Sequence, residues 1–152
     1  MDSANNQIKF VGCGKSISLI LKETGVVKMI GKGIYQKIRF DDFMRYSLPY
    51  QISEDILVHQ VAVGFDHFLM VDKTGMLWVA GENAHGCLGT ADSKKRVLPQ
   101  LNPHFDFRRI LDIACGNKFS VVIAESYDLR PEEIPNYFLT AKQKIESQQT
   151  GK

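Results

Sequence analysis

Gly12-Cys13-Gly14-Lys15-Ser16 is the first stretch whose residue types suggest chemistry, because phosphate-binding loops end in Gly-Lys-Ser/Thr. Such a loop also needs a glycine at position 9, which is Lys9, and a helix after the serine, and no helical periodicity follows. Four histidines (His59, His67, His85, His104) and three cysteines (Cys13, Cys87, Cys115) are the other candidates for acid–base, nucleophilic or metal chemistry. His85 and Cys87 are close in sequence, but no second pair at metal-ligand spacing accompanies them. No Ser-His-Asp or Cys-His arrangement has a glycine elbow around its nucleophile. The residues therefore predict no catalytic residue, no cofactor, no metal site and no small-molecule substrate.

Charge points to proteins rather than to nucleic acid or membrane. The 19 Lys+Arg against 17 Asp+Glu leave +2, too little to hold a phosphate backbone by bulk attraction. The basic clusters Lys94-Lys95-Arg96 and Arg108-Arg109 read as solvated loops or as a rim for an acidic partner, and no interleaved aromatics offer base stacking. No apolar run approaches the ~20 residues of a membrane helix. The opening seven residues have neither a basic start nor an apolar stretch, so a signal peptide is not expected. An odd cysteine count without Cys-x-x-Cys favours a reducing compartment, cytoplasmic or nuclear.

The elements that must position these residues emerge from an internal repeat. At a spacing of 50 residues Gly14 recurs as Gly64, Gly25 as Gly75, Gly31 as Gly81, and Leu48-Pro49 as Leu98-Pro99. Apolar positions keep the same offset, as in Leu19 with Leu69 and Met29 with Val79. A third copy begins 52 residues later at Ile113-Ala114-Cys115-Gly116 and stops near Glu125. Alternating apolar, β-branched and aromatic residues make each copy a set of short strands. Lys22-Glu23-Thr24-Gly25 and Asp72-Lys73-Thr74-Gly75 place a glycine at the left-handed position of a tight hairpin. Gly14, Gly64 and Gly116 end a strand and redirect the chain, which makes the Gly-Lys-Ser segment a repeat turn. Three- or four-strand units at this period predict β-propeller blades.

Val61-Ala62-Val63-Gly64-Phe65-Asp66-His67, the run from Lys73 to Gly89 that contains Trp78 and Gly81-Glu82-Asn83, and Leu98-Pro99 resemble one full repeat of the regulator-of-chromosome-condensation family. The resemblance covers roughly residues 9 to 125. It implies a propeller scaffold that acts by protein interaction, and the family's founding member is an exchange factor for the Ran GTPase. It also implies that His67 packs inside the repeat, since Ile17 and Phe119 fill the equivalent places, and that Trp78 packs between blades. Cys13 and Cys115 match Val63 and are expected to be small buried groups. The first copy departs from the pattern: Lys28 replaces Trp78, Gln36 replaces Gly86, and Lys37 and Arg39 replace Cys87 and Gly89. A different loop after Gly31 and a more basic rim are expected there.

The expected organisation is an N-terminal segment 1–8, a divergent repeat 9–59, a second repeat 60–111, a partial repeat 112–125 and a helical tail 126–152. In the tail, Ile134, Phe138, Ala141 and Ile145 fall on one helix face. The expected fold is thus all-β, a partial propeller of about two blades and the opening strands of a third, with a C-terminal α-helix. A closed propeller needs about 4–8 blades. The chain is therefore expected to belong to a longer protein, to complete its ring with another chain, or to self-associate. Function is expected to be non-catalytic recognition through the loops Gly31–Pro49 and Glu82–Pro99, with Asn83, His85, Lys94, Lys95 and Arg96 as binding residues. A small-GTPase exchange regulator and a targeting module of a larger ubiquitin ligase or kinase are the alternatives.

Overall fold

The computed structural model of the chain describes residues 7–31, 50–51, 56–105 and 108–125. The expected tail helix and nearly all of the Gly31–Pro49 loop lie outside the described residues. Among the described residues ten strands form three antiparallel sheets in chain order. The first blade holds β1 (Ile8–Cys13), β2 (Ile17–Lys22), β3 (Val27–Gly31) and β4 (Tyr50–Gln51). The second holds β5 (Val58–Val63), β6 (His67–Asp72), β7 (Leu77–Gly81) and β8 (Arg96–Leu101). Of the third, the described residues include β9 (Ile110–Cys115) and β10 (Ser120–Ala124).

Local chemistry accounts for the meanders. Gly25 and Gly75 turn their hairpins at φ of 95° and 88°, a region costly for any residue with a Cβ. In the second blade Asp72 fastens that turn: its Oδ1 accepts from the Thr74 and Met76 amides at 2.8 and 3.1 Å, and its Oδ2 accepts the Trp78 indole N–H at 2.8 Å. The registers superimpose, since Leu19 faces Met29 and Leu69 faces Val79. Each first strand carries the same irregularity, skipping Lys9, His59 or Leu111 in the pairing. This bulge reverses the alternation, so Val58 lines up on one face with Val61 although they are three positions apart.

The core lies between blades rather than within them. Leu19, Leu21 and Met29 of the first blade pack against Val58, Val61 and Met70 of the second. Leu69, Val71 and Leu88 of the second pack against Ile110 and Ile113 of the third. Every residue of β6 is buried, because both of its faces meet a neighbouring blade. Trp78 is half-buried and packs on the first of these clusters. Burial of such aliphatic side chains stabilises by about 1.5–3 kcal/mol each.

Positions at the two ends of the stack behave differently. Cys13, expected to be buried, is exposed because among the described residues no blade covers the outer face of β1. Cys115 is only half-buried, although it reaches the Ala62 carbonyl of the second blade. Phe119 is 60% exposed where the equivalent Ile17 and His67 are 4% and 1%. The missing neighbour, not the residue type, sets the exposures of Cys13 and Phe119, while Cys115 matches Val63, which is half-buried with a blade on either side.

Candidate functional site

The segment 82–95 leaves β7 at one end of the second blade and returns as β8, which begins at Arg96 and runs through Pro99. Gly81, at φ 126°, launches it; a Cβ there would stand 2.3 Å from His67 Cα. Gly86, Gly89 and Ala91 all adopt positive φ, so the loop folds back on itself within a few residues. Its start is tied to the neighbouring turn, where the Glu82 amide donates to the Asp66 carbonyl at 2.9 Å.

Two buried amides hold the loop from inside. Asn83 Oδ1 accepts the Leu88 amide at 2.9 Å, and its Nδ2 donates to the Asp92 carbonyl at 2.8 Å and to Thr90 Oγ1 and Asp92 Oδ1 at 3.1 Å. Asn102 Nδ2 donates to the Leu88 carbonyl at 2.9 Å, while its Oδ1 accepts the His104 amide at 3.0 Å. Leu88 and Cys87 plug the space beneath, and burial pushes the Cys87 thiol above its ordinary range. Asn83 was expected to face a partner. It is instead fully buried with its amide satisfied by the loop, so it positions the loop. Asn102, Thr90 and Asp92 were not foreseen; the only hint was polar residues clustered beside Gly89 and Pro103.

The charges divide in the same way. Arg96 pairs with Asp92 at 2.7 Å, and the guanidinium with the Lys94 amide holds the Asp92 carboxyl down to about 2. Lys95 pairs with Glu82 at 2.5 Å. The expected three-charge cluster is therefore largely neutralised, and Lys94 is its one member without an ion pair among the described residues. Lys94 and His85 are both exposed on the loop.

The rim continues through the repeat turns. The Lys15 amide donates to the Phe65 carbonyl at 2.8 Å, and the Phe65 amide to the Gly116 carbonyl at 3.4 Å. Lys15 Nζ lies 5.0 Å from the centre of the Phe65 ring. Between these turns and the loop is a cavity of about 330 Å³ lined by Lys15, Phe65, Asp66, His85, Asn117 and Lys118 among others. His67 closes its floor. It is buried, with Nε2 2.9 Å from Ser120 Oγ, and desolvation lowers its pKa against the opposing pull of the Phe119 carbonyl and Asp66. The Gly12–Ser16 segment contributes a turn to this rim, not a phosphate loop. Among the described residues no cluster of three His, Cys, Asp or Glu side chains could hold a metal ion, and no helix is long and apolar enough to cross a membrane.

Comparison with known proteins gives this architecture a family. Residues 58–87 and 74–123 each match the Regulator of chromosome condensation (RCC1) repeat. E3 ubiquitin-protein ligase HERC2 of Homo sapiens is 33% identical over 115 residues, which are 73% of this chain and 2% of that protein. The Ultraviolet-B receptor UVR8 of Arabidopsis thaliana is 28% identical over 82% of the chain and 29% of its own length. The RCC1-like G exchanging factor-like protein of Mus musculus is 26% identical over 82% of the chain and 28% of its own length. The crystal structure of Prp20p from Saccharomyces cerevisiae, a protein with binding properties to Gsp1p and histones, superimposes with a TM-score of 0.74 at 19% identity, covering 97% of this chain and 36% of that one. The chain thus spans well under half the length of each of these relatives. With antiparallel units stacked on one register and both repeat matches falling on the second and third of them, the chain belongs to the regulator of chromosome condensation repeat family.

Proposed function

We propose that this chain is a non-catalytic protein-interaction module that recognises its partner through the rim formed by residues 82–95 and the repeat turns. The observation that carries this is the clamped loop: Asn83 and Asn102 fix its backbone from inside while His85 lines the cavity and Lys94 is exposed on the same loop. A loop already ordered loses little entropy on docking, which is what a recognition surface needs. Lys15, Lys94 and Lys118 bias that surface toward an acidic partner. The three free cysteines suit a reducing compartment, and we place the protein in the cytoplasm or nucleus.

Exchange of guanine nucleotide on a small GTPase is a second reading, favoured by the name of the mouse relative and by the binding of Prp20p to Gsp1p. It would work by docking against the nucleotide site, with no covalent step. A targeting role within a larger ubiquitin ligase is consistent with the small share of HERC2 that the chain matches.

Quantitative affinity capture should compare the wild-type chain with K15E/K94E/K118E, whose three sites lie on the rim and outside the core. Loss of the acidic-partner set with an unchanged melting temperature is the expected result. An identical partner set for both proteins would reject the rim as the recognition surface. Release of labelled GDP from a panel of small GTPases separates the second reading, because a recognition module without exchange activity leaves every release rate unchanged.

A further inference from the structure

The cavity beside the recognition loop is built from three consecutive blades. Lys15 enters from the first repeat turn, Asp66 from the second and Lys118 from the third, with Glu82 on the loop side. These walls are turns and loop, not sheet faces, so the cavity opens at the end of the blades. At about 330 Å³ it lies at the small end of ligand sites, with room for a side chain or two but not for a nucleotide.

Its charges do not cancel. Lys15 and Lys118 bring two ammonium groups against the carboxylates of Asp66 and Glu82, but Glu82 is already paired with Lys95 at 2.5 Å. Lys15, Lys118 and Asp66 enter no ion pair among the described residues. One positive charge is therefore left over. The groups that carry it are held in place. Lys15 Nζ stands 5.0 Å from the centre of the Phe65 ring, and the Lys15 amide is tied to the Phe65 carbonyl. The Phe65 amide in turn donates to the Gly116 carbonyl, which fixes the spacing between the turns that carry Asp66 and Lys118. His85 and Asn117 add hydrogen-bonding side chains to the wall.

The excess sets what fits. One carboxylate balances it. A phosphorylated side chain brings about 1.5–2 negative charges and leaves Asp66 facing an uncompensated anion. A lysine or arginine side chain adds to the excess. We propose that the cavity takes one aspartate or glutamate side chain of the partner protein, anchored by the Lys15 and Lys118 ammonium groups. The proposal rests on the rim as the recognition surface and adds the residue type that is seated there and the place that seats it. Asp66 then acts as a selectivity element against phosphorylated side chains.

Selection from a random-peptide phage library on the full chain tests this, with the selected sequences remade as synthetic peptides for calorimetry. The wild-type chain should enrich peptides that share one acidic position. Replacing that residue by its amide should weaken binding about tenfold to a hundredfold, and a phosphoserine there should bind more weakly than glutamate. Two variants separate the cavity from the rim as a whole. A84W, at an exposed site on the cavity wall, fills the space without altering a charge, and K15E/K118E reverses the excess. Both should lose the shared acidic position, K15E/K118E selecting a basic one in its place, with circular dichroism matching the wild type. If A84W selects the same acidic position at unchanged affinity, the cavity is overturned as the anchor while the rim reading stands. Should A84W fail to fold, K15E/K118E selecting the wild-type acidic position is the refuting result. A phosphoserine peptide as tight as its glutamate counterpart would overturn the carboxylate assignment. A wild-type chain that selects no acidic position overturns this proposal and the acidic-partner reading together.

Discussion

Replacing Asn83 by alanine tests whether the recognition loop is held from inside. The substitution strips the buried Leu88 amide of its acceptor, which costs about 1–3 kcal/mol when water cannot take over. It also removes the donors to the Asp92 carbonyl and carboxylate, worth about 1 kcal/mol each in net terms. A loss of about 3–5 kcal/mol follows, which in a chain of 152 residues lowers Tm by roughly 10 °C. Asn83→Asp sharpens the test. Aspartate keeps an acceptor for Leu88 but sets a carboxylate where Nδ2 now lies 3.1 Å from Asp92 Oδ1, and Asp92 stays ionised down to about 2. N83D should therefore be at least as unstable as N83A at neutral pH and recover partly on acidification, because burial and the Asp92 carboxylate hold its own carboxyl above the ordinary carboxylate range. Urea titration at pH 7 and pH 4 measures both. N83A within about 0.5 kcal/mol of wild type, or N83D as stable as wild type at pH 7, would refute the clamp.

Three other perturbations follow from the same geometry. Desolvation lowers the His67 pKa, so the folded state holds the ring neutral while the unfolded chain titrates near 6.5; the stability this contributes is complete above pH 6.5 and declines as the pH falls below it. Urea midpoints at pH 7.5 and 5.5 should show that decline in the wild type and less of it in His67→Phe; equal declines would exclude His67 as its source. Trp78→Phe should cost about 1–2 kcal/mol by leaving Asp72 Oδ2 without the indole donor, and Trp78→Ala about 2–4 kcal/mol by also removing half-buried packing; melting curves that rank them in the other order would contradict the contact. Gly81→Ala forces a Cβ to 2.3 Å from His67 Cα at a φ of 126°, and should lower the unfolding midpoint by several kcal/mol, whereas Gly86→Ala, with nothing within 4 Å, carries only the backbone strain of about 1 kcal/mol.

What could be read from the residues was what is local or periodic. Glycines at 14, 64 and 116, the hairpin glycines at 25 and 75, and the apolar alternation of β2 and β6 announce strands, turns and a repeat, because φ limits and two-residue periodicity act within a few residues. The bulges at Lys9, His59 and Leu111 were not visible. They break the alternation, and only the partner strand reveals the unpaired residue. Cys13 failed as a buried residue because its burial depends on a neighbouring blade, not on its own strand. Asn83 failed as a contact residue because an amide is read as surface until its partners at 88, 90 and 92 fold back around it. Lys95 and Arg96 lost their apparent free charge to Glu82 and Asp92, carboxylates whose approach the chain order does not announce.

The backbone bonds that run from turn to turn have a consequence for how the molecule opens. The amides of Lys15 and Val58 are satisfied only across the first joint, by Phe65 and Gly25, and the amide of Phe65 only across the second, by Gly116. A blade can therefore stay folded while these protons become free to exchange with solvent. Hydrogen exchange at Lys15 and Val58 reports a hinge-like parting of the first two blades, and exchange at Phe65 the parting of the last two, both separable from the slower unfolding that would release the amides of β6.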